Sequence, residues 1–502
     1  MQSVRERAFA TKPIGCYRTN RGSGGGTGLI QSARVSAPSS PPGSRWSALL
    51  GPRSRRGPLV CALAVLIFAW PQTAQAAEMT SETFARIMML FGAVGAGYLV
   101  THLAVERLSR RFTLAGGVEY VLLGIALGPL LGLLDPDLAR DIRPVLLLGT
   151  GAIGMLAGLE LVERIQEPRT LDRAANRACW ATAIAVTFST LLLLIGAPLG
   201  VALAMGIDVL DEHAWTGALL AAGVVALGAE GVVVRQMSRY LGARGRAPQL
   251  GLVVARRTAA LAAIGFGLLS ALLEPSATLS LRAPSDFGQI LAIEVCAGAV
   301  LGGLFSVIVH RRLDDRALLT VLVGMILLAG GFAYALEVSA IFVTFVAGLV
   351  FAVTSRHARD VGRMLHGLER PFVIALYFFS GLEWISGALW VFALIPVFLL
   401  LRHFGRRLGG FLTARRSEPP LDLAPATIAP GGLSIAFMLS LRLVYRDVPG
   451  MQDVYAPLLI SIVLLELSSL RVVRRWLLDV ADVPPEGRIR QGGFNPEAEL
   501  LD

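Results

Sequence analysis

Blocks of about twenty apolar residues recur along nearly the whole chain, and they constrain the fold more than any other feature. The hydrocarbon core of a bilayer takes about 20 apolar residues of helix. Inside it every backbone polar group needs an internal partner, so only helices or closed barrels can span it. Runs this long and continuous are not the alternating strands of a barrel. Thirteen blocks stand out, at about 84–105, 117–134, 143–162, 177–205, 214–234, 249–273, 288–309, 317–335, 338–353, 371–388, 389–405, 424–445 and 456–473. They predict an all-α polytopic membrane protein with about 13 transmembrane helices. Charged residues make up 16% of the chain, against about 25% in soluble domains.

Charge supports the count. The net charge of +10 is nearly all arginine, Lys12 being the only lysine. These arginines cluster in short connections, not on a soluble domain, which argues against a nucleic-acid partner. With residue 80 outside, "ERLSRRF", the loop through Arg164 and Arg173, "RQMSRYLGARGRAP", "SRHARDVGRMLHGLER" and "RRLGGFLTARRSE" all fall on one side. The alternate connections, such as "DPDLARDI" and "DVLDEH", are acidic or nearly neutral. Basic loops lie inside. The expected location is therefore a bacterial inner (plasma) membrane, with the N-terminus outside and the C-terminus cytoplasmic.

Residues 1–57 are rich in Gly, Ser, Pro and Arg and read as a disordered extension. Residues 58–76 carry a short apolar core ending in "AQA", a signal peptide or an extra helix. The membrane domain is expected over 77–475, followed by a short polar tail, 476–502. Cys16, Cys61, Cys179 and Cys296 form no CxxC pair, so no metal site or disulfide framework follows. GxSxG, HExxH and P-loop motifs are missing from the sequence, so neither an enzyme nor a cofactor is expected.

Three blocks are interrupted. "GIALGPLLGLL" places Gly-Pro in the second, "ALGAEGVVV" sets Gly228 and Gly231 around Glu230 in the fifth, and "TIAPGGLSIAFM" sets Pro430, Gly431 and Gly432 in the twelfth. A spanning helix breaks only where protein or a cavity supports the freed backbone. Blocks five and twelve lie seven spans apart, so they run in opposite directions, as an inverted repeat requires.

These residues resemble the cation:proton antiporter family, in its Kef-like and sodium–proton exchanger branch. "YVLLGIALGPLLGLL", "LLGTGAIGMLAGLELV", "AIFVTFVAGLVFA", "LERPFVIALYFFSGL" and "APGGLSIAFML" are similar to its helix motifs, in order and over about residues 84–475. The resemblance implies inverted repeats with two broken crossing helices, a core that moves against a scaffold, and a homodimer. It also implies an aspartate, on the helix after the first broken one, that takes either a proton or a cation. A basic residue on a facing helix interacts with it.

At that position the sequence departs from the family. "LGLVVARRTAA" puts Arg257 where the resemblance expects the aspartate, and Arg256 one residue before it. A guanidinium neither loses its proton nor binds a cation. A charge at the bilayer centre costs at least ~2.5–3.5 kcal/mol. Adjacent helical residues point about 100° apart, so the two cannot share one partner. The expected arrangement turns one arginine toward Glu230 and the core, and the other toward a helix-terminus carbonyl or a second acid.

Glu230 is the expected substitute, either neutralising an arginine or carrying the ion itself. Glu383 stands at the end of the tenth block, facing outer solvent or pairing within the membrane. Arg406 matches the family's basic residue, or belongs with Arg402 and Arg407 to an inner-face basic cluster. Glu160, Glu294, Glu337 and Glu466 are weaker candidates.

The function this implies is monovalent cation:proton antiport by alternating access through a variant site. The partners are the lipid bilayer, a small inorganic ion and the proton. Two alternatives stay open: an anion or organic-acid carrier with Arg257 as counter-charge, and a non-transporting membrane sensor locked by Arg–Glu pairing.

Overall fold

The computed structural model describes residues 117–132, 134, 143–162, 172–204, 213–273, 282–310, 314–384, 389–414, 422–444, 451–480 and 483–484. The N-terminal extension, the signal-peptide pattern, the first apolar block and the C-terminal tail from residue 485 on lie outside the described residues.

Each of the remaining apolar blocks is helical. The helices are α1 (Val118–Ile125), α2 (Arg143–Val162), α3 (Arg173–Ala204), α4 (His213–Val225), α5 (Val232–Leu241), α6 (Arg246–Leu272) and α7 (Pro284–Ile308). They continue with α8 (Asp315–Ala335), α9 (Ala340–Thr354), α10 (Ala358–Leu382), α11 (Leu394–Ala414), α12 (Gly431–Val444) and α13 (Met451–Val480). Helix α4 and the first three residues of α5 fall in the fifth block, and the rest of α5 extends past its end. In the second block the Gly-Pro sequence produces a π-helical turn, Ala126–Leu130, around Pro129, because proline removes an N–H from the helical ladder.

Helices α2, α3, α6, α7, α8 and α13 are each long and apolar enough to cross a membrane by themselves. The shorter α1, α9 and α12 are apolar too, and interior packing compensates for their length.

Two stretches read as basic loops are helical instead. Residues 358–370 form the first turns of α10, whose buried Ala358, Val361, Gly362 and Leu365 recur at helical spacing. Arg363 points outward to Asp360, at 2.5 Å. A hydropathy average cancels such a two-faced segment, although its period is helical. Residues 232–241 are likewise the amphipathic α5, ended by Gly242 at φ 61° in the left-handed conformation that suits glycine.

Helices α3, α4, α5, α6, α11 and α13 associate mainly with one another, and α12 joins them through α4 and α13 while also lying against α2 and α10. Helices α1, α2, α7, α8, α9 and α10 form a second group. Close approach depends on small residues, as membrane helix pairs require. A Cβ on Gly158 of α2 would meet the Phe345 carbonyl of α9, and one on Gly409 of α11 would meet Val186 of α3. The groups meet chiefly where α6 and α12 of the first lie against α2 and α10 of the second.

Candidate functional site

The site begins where the two broken helices cross. Helix α4 ends at Val225, residues 226–231 are unwound, and α5 resumes at Val232. The other break is a 3-10 turn, Ala424–Thr427, followed by unwound residues 428–430 and then α12. The breaks are joined directly: the Glu230 N–H donates to the Ala429 carbonyl at 3.1 Å, and Ser434 Oγ donates to the Val225 carbonyl at 2.9 Å.

A broken helix exposes backbone groups that need partners, carbonyls at a C-terminus and N–H groups at an N-terminus. Charge is distributed here to match. Arg402 of α11 donates to the carbonyls of Ala226 at 3.0 Å, Gly228 at 3.1 Å and Ile428 at 2.7 Å. Arg406, one turn on, donates to Ala226 at 3.0 Å, Leu227 at 3.1 Å, Gly228 at 2.8 Å and to Thr427. Both arginines are 1% exposed. Carboxylates take the positive end: Gly431 N–H donates to Glu466 Oε2 at 3.2 Å, and Gly432 N–H to Glu230 Oε2 at 2.9 Å. Cations thus sit at a helix C-terminus and anions at a helix N-terminus, as the helix dipole favours. Gly431 has φ 64°, and a Cβ there would fall on the Glu230 carboxyl.

Beside the crossing lies a cavity of about 40 Å³, lined by Glu160, Glu230, Arg256 and Glu369 among apolar neighbours. Its acids come from both helix groups. Glu230 and Arg256 belong to the first group; Glu160 on α2 and Glu369 on α10 belong to the second. The Glu230 and Glu369 side chains line this one cavity together. His366, one turn before Glu369, places Nδ1 at 3.1 Å from Glu369 Oε2 and Nε2 at 3.4 Å from Glu160 Oε1. Glu160 also pairs with Arg256 Nε at 3.4 Å.

The arginine pair divides, as the 100° step between neighbours requires, but not with the expected partners. Arg256 takes the cavity side, where Glu160, not Glu230, forms the ion pair given above. Arg257 turns to α3, donating to the Asn176 backbone carbonyl at 2.9 Å and side-chain carbonyl at 2.5 Å, with its guanidinium 4.9 Å from the Trp180 ring. Pairing of Arg257 with Glu230 is therefore replaced: on α6 the Arg257 direction faces α3, whereas Glu230 lies toward α12 and α10.

Among the other candidates, Glu383 does not face solvent. It is 1% exposed and lies 3.4 Å from Arg442 Nε of α12, again joining the two groups. Arg406 belongs to the crossing, and of the proposed basic cluster only Arg407 is exposed. Glu466 lies in the middle of α13, where it accepts from Gly431 N–H. Glu294 is buried and accepts from Ser339 N at 2.8 Å and Ser270 Oγ at 3.1 Å. Glu337 occupies a turn with φ 55°. Gly228, Gly231 and Pro430 all lie in the unwound segments, and Gly432 starts α12 next to Gly431.

Sequence reasoning missed Glu369 and His366, which sit in the stretch taken for a basic loop. The helical spacing of Ala358, Val361 and Leu365 was the signal that would have placed them on a spanning helix.

The profile described as "Sodium/hydrogen exchanger, transmembrane" matches residues 95–473. Among solved structures, the chain resembles the sodium proton antiporter MjNhaP1 from Methanocaldococcus jannaschii, determined at pH 8. The TM-score is 0.58 at 14% identity, covering 80% of this chain and 99% of that one. A search of curated protein sequences finds no match. With the family profile spanning most of the chain and an antiporter architecture around the crossing, the chain belongs to the sodium/hydrogen exchanger family of membrane transporters.

Proposed function

We propose that this transporter exchanges a monovalent cation for a proton through a rearranged site, with Glu230 as the carrier and Glu369 as its proton partner. The observation behind this reading is the gathering of Glu160, Glu230 and Glu369 around one arginine, Arg256, in the cavity beside the crossing. Proton and hard cation compete for the same carboxylate oxygens. Arrival of a cation at Glu230 expels its proton, and return of the proton expels the cation. Because the two acids belong to different helix groups, the same exchange loosens or restores a link between them, which is what alternating access needs. The basic connections support an orientation with the Glu160 side of the cavity toward the cytoplasm of a bacterial inner membrane.

An anion carrier is less well supported. Its counter-charge was Arg257, which is held at Asn176 and Trp180, and the cavity carries surplus acid.

The test is reconstitution in liposomes with an internal pH dye, under sodium, potassium or chloride gradients. Proton flux should follow sodium or potassium and vanish in Glu230→Gln. Chloride-driven flux, or cation-driven flux unchanged in Glu230→Gln, would sink the reading. Absence of flux under every gradient would leave the sensor.

A further inference from the structure

Glu230 lies against the crossing, so a proton leaving it needs a way out. We infer that His366 is part of that way: its imidazole relays protons between Glu369 and Glu160, making Glu160 the cytoplasmic end of a proton route Glu230–Glu369–His366–Glu160. The inference rests on the proposed exchange at Glu230 and adds a residue and a direction to it.

The geometry is specific. His366 and Glu369 are three residues apart on α10 and so share one face. The ring then spans from its own helix to α2, with a carboxylate at each nitrogen, 3.1 Å from Nδ1 and 3.4 Å from Nε2. A neutral imidazole has one donor and one acceptor nitrogen, whereas both of its neighbours are acceptors when ionised. The contacts are therefore satisfied together only with an extra proton on the ring or on one of the two carboxyls. A histidine held solely to pack would not need an acid at each nitrogen.

The side chains of Glu160, His366 and Glu369 are 18%, 20% and 18% exposed, and Glu230 is held from behind by the Gly432 N–H. The route takes its direction from the proposed orientation, which sets the Glu160 end of α2 toward the cytoplasm.

The transfer balances. The Glu369 O–H bond breaks as its proton binds Nδ1. The Nε2–H bond breaks as that proton binds the Glu160 carboxylate. One carboxyl is deprotonated, one is protonated, and the ring stays neutral with its tautomer exchanged. Rotation of the ring, or passage through the imidazolium, resets it. Charges facing the relay are Arg256 of α6, paired with Glu160, Arg235 of α5, near Glu160 and Glu369, and Glu230 itself.

The experiment uses the full chain in dye-loaded liposomes, with a gradient of whichever cation drives the wild-type protein. His366→Ala should slow cation-driven proton flux at least about tenfold, in line with the loss of a proton-transfer group. Imidazole added on both sides should restore much of it, since the position is open to water. His366→Gln, close in size and able to hydrogen-bond, should be as slow as His366→Ala. Both variants should elute as the wild type does on size exclusion. A wild-type rate in His366→Gln, or a slowed rate in His366→Ala that imidazole leaves unchanged, overturns the relay. If the wild-type protein itself moves no protons, the exchange reading falls and the relay with it. If wild type and both His366 variants move them equally, the relay alone falls.

Discussion

Arg406 is where the fold and the crossing depend on one side chain most heavily. Replacing it with methionine keeps an unbranched apolar stem and removes the guanidinium. The carbonyls of Leu227 and Thr427, which accept from Arg406 and not from Arg402, lose that donor. Those of Ala226 and Gly228 keep Arg402. A buried polar group left unpaired costs about 1–3 kcal/mol, so two cost about 2–6 kcal/mol. Relief of the desolvated charge offsets part of this, which points to the lower half of the range. At roughly 2–4 °C per kcal/mol, Arg406→Met should lower the melting midpoint in detergent by about 4–16 °C. The double variant Arg402→Met/Arg406→Met strips Ala226 and Gly228 of both donors. Its loss should exceed the sum of the single losses by about 1–3 kcal/mol, as expected for groups with shared partners. Thermal unfolding of the purified single and double variants, each checked by size exclusion, measures both quantities. An Arg406→Met midpoint within about 1 °C of wild type, or strictly additive losses, would refute the shared-carbonyl account.

Other expectations follow from the same geometry. Glu383→Leu or Arg442→Met alone should destabilise by about 3–5 kcal/mol, because each removes the opposite charge beside a buried one, while the double variant should recover most of the loss in a melting assay. Gly431→Ala should cost about 1–2 kcal/mol from its left-handed φ. It should also displace the Glu230 carboxyl, so cation-driven proton flux should fall further than stability does; flux preserved at the wild-type rate would contradict this. Glu230→Gln and the His366 variants, tested in liposomes as above, complete the set.

The spans, the breaks and the odd chemistry of residues 256–257 were legible in the chain. Run length and the need for internal backbone pairing are local properties, so the apolar blocks announced helices, and Gly-Pro and Pro-Gly-Gly announced where they break. Local geometry also said that Arg256 and Arg257 must part. It did not say which would face the cavity, nor which acid would meet it. Those depend on α2, α6 and α10, whose contributions come from residues 160, 256 and 366–369, far apart in sequence. A pattern read over one or two turns carries no information about which distant helix lies opposite. Glu369 and His366 were hidden for a further reason: an amphipathic, arginine-bearing start to α10 averages to a polar loop. Tertiary packing alone decided that a carboxyl pair and a histidine would gather beside the crossing, because only the meeting of two helix groups brings their charged residues within hydrogen-bonding distance.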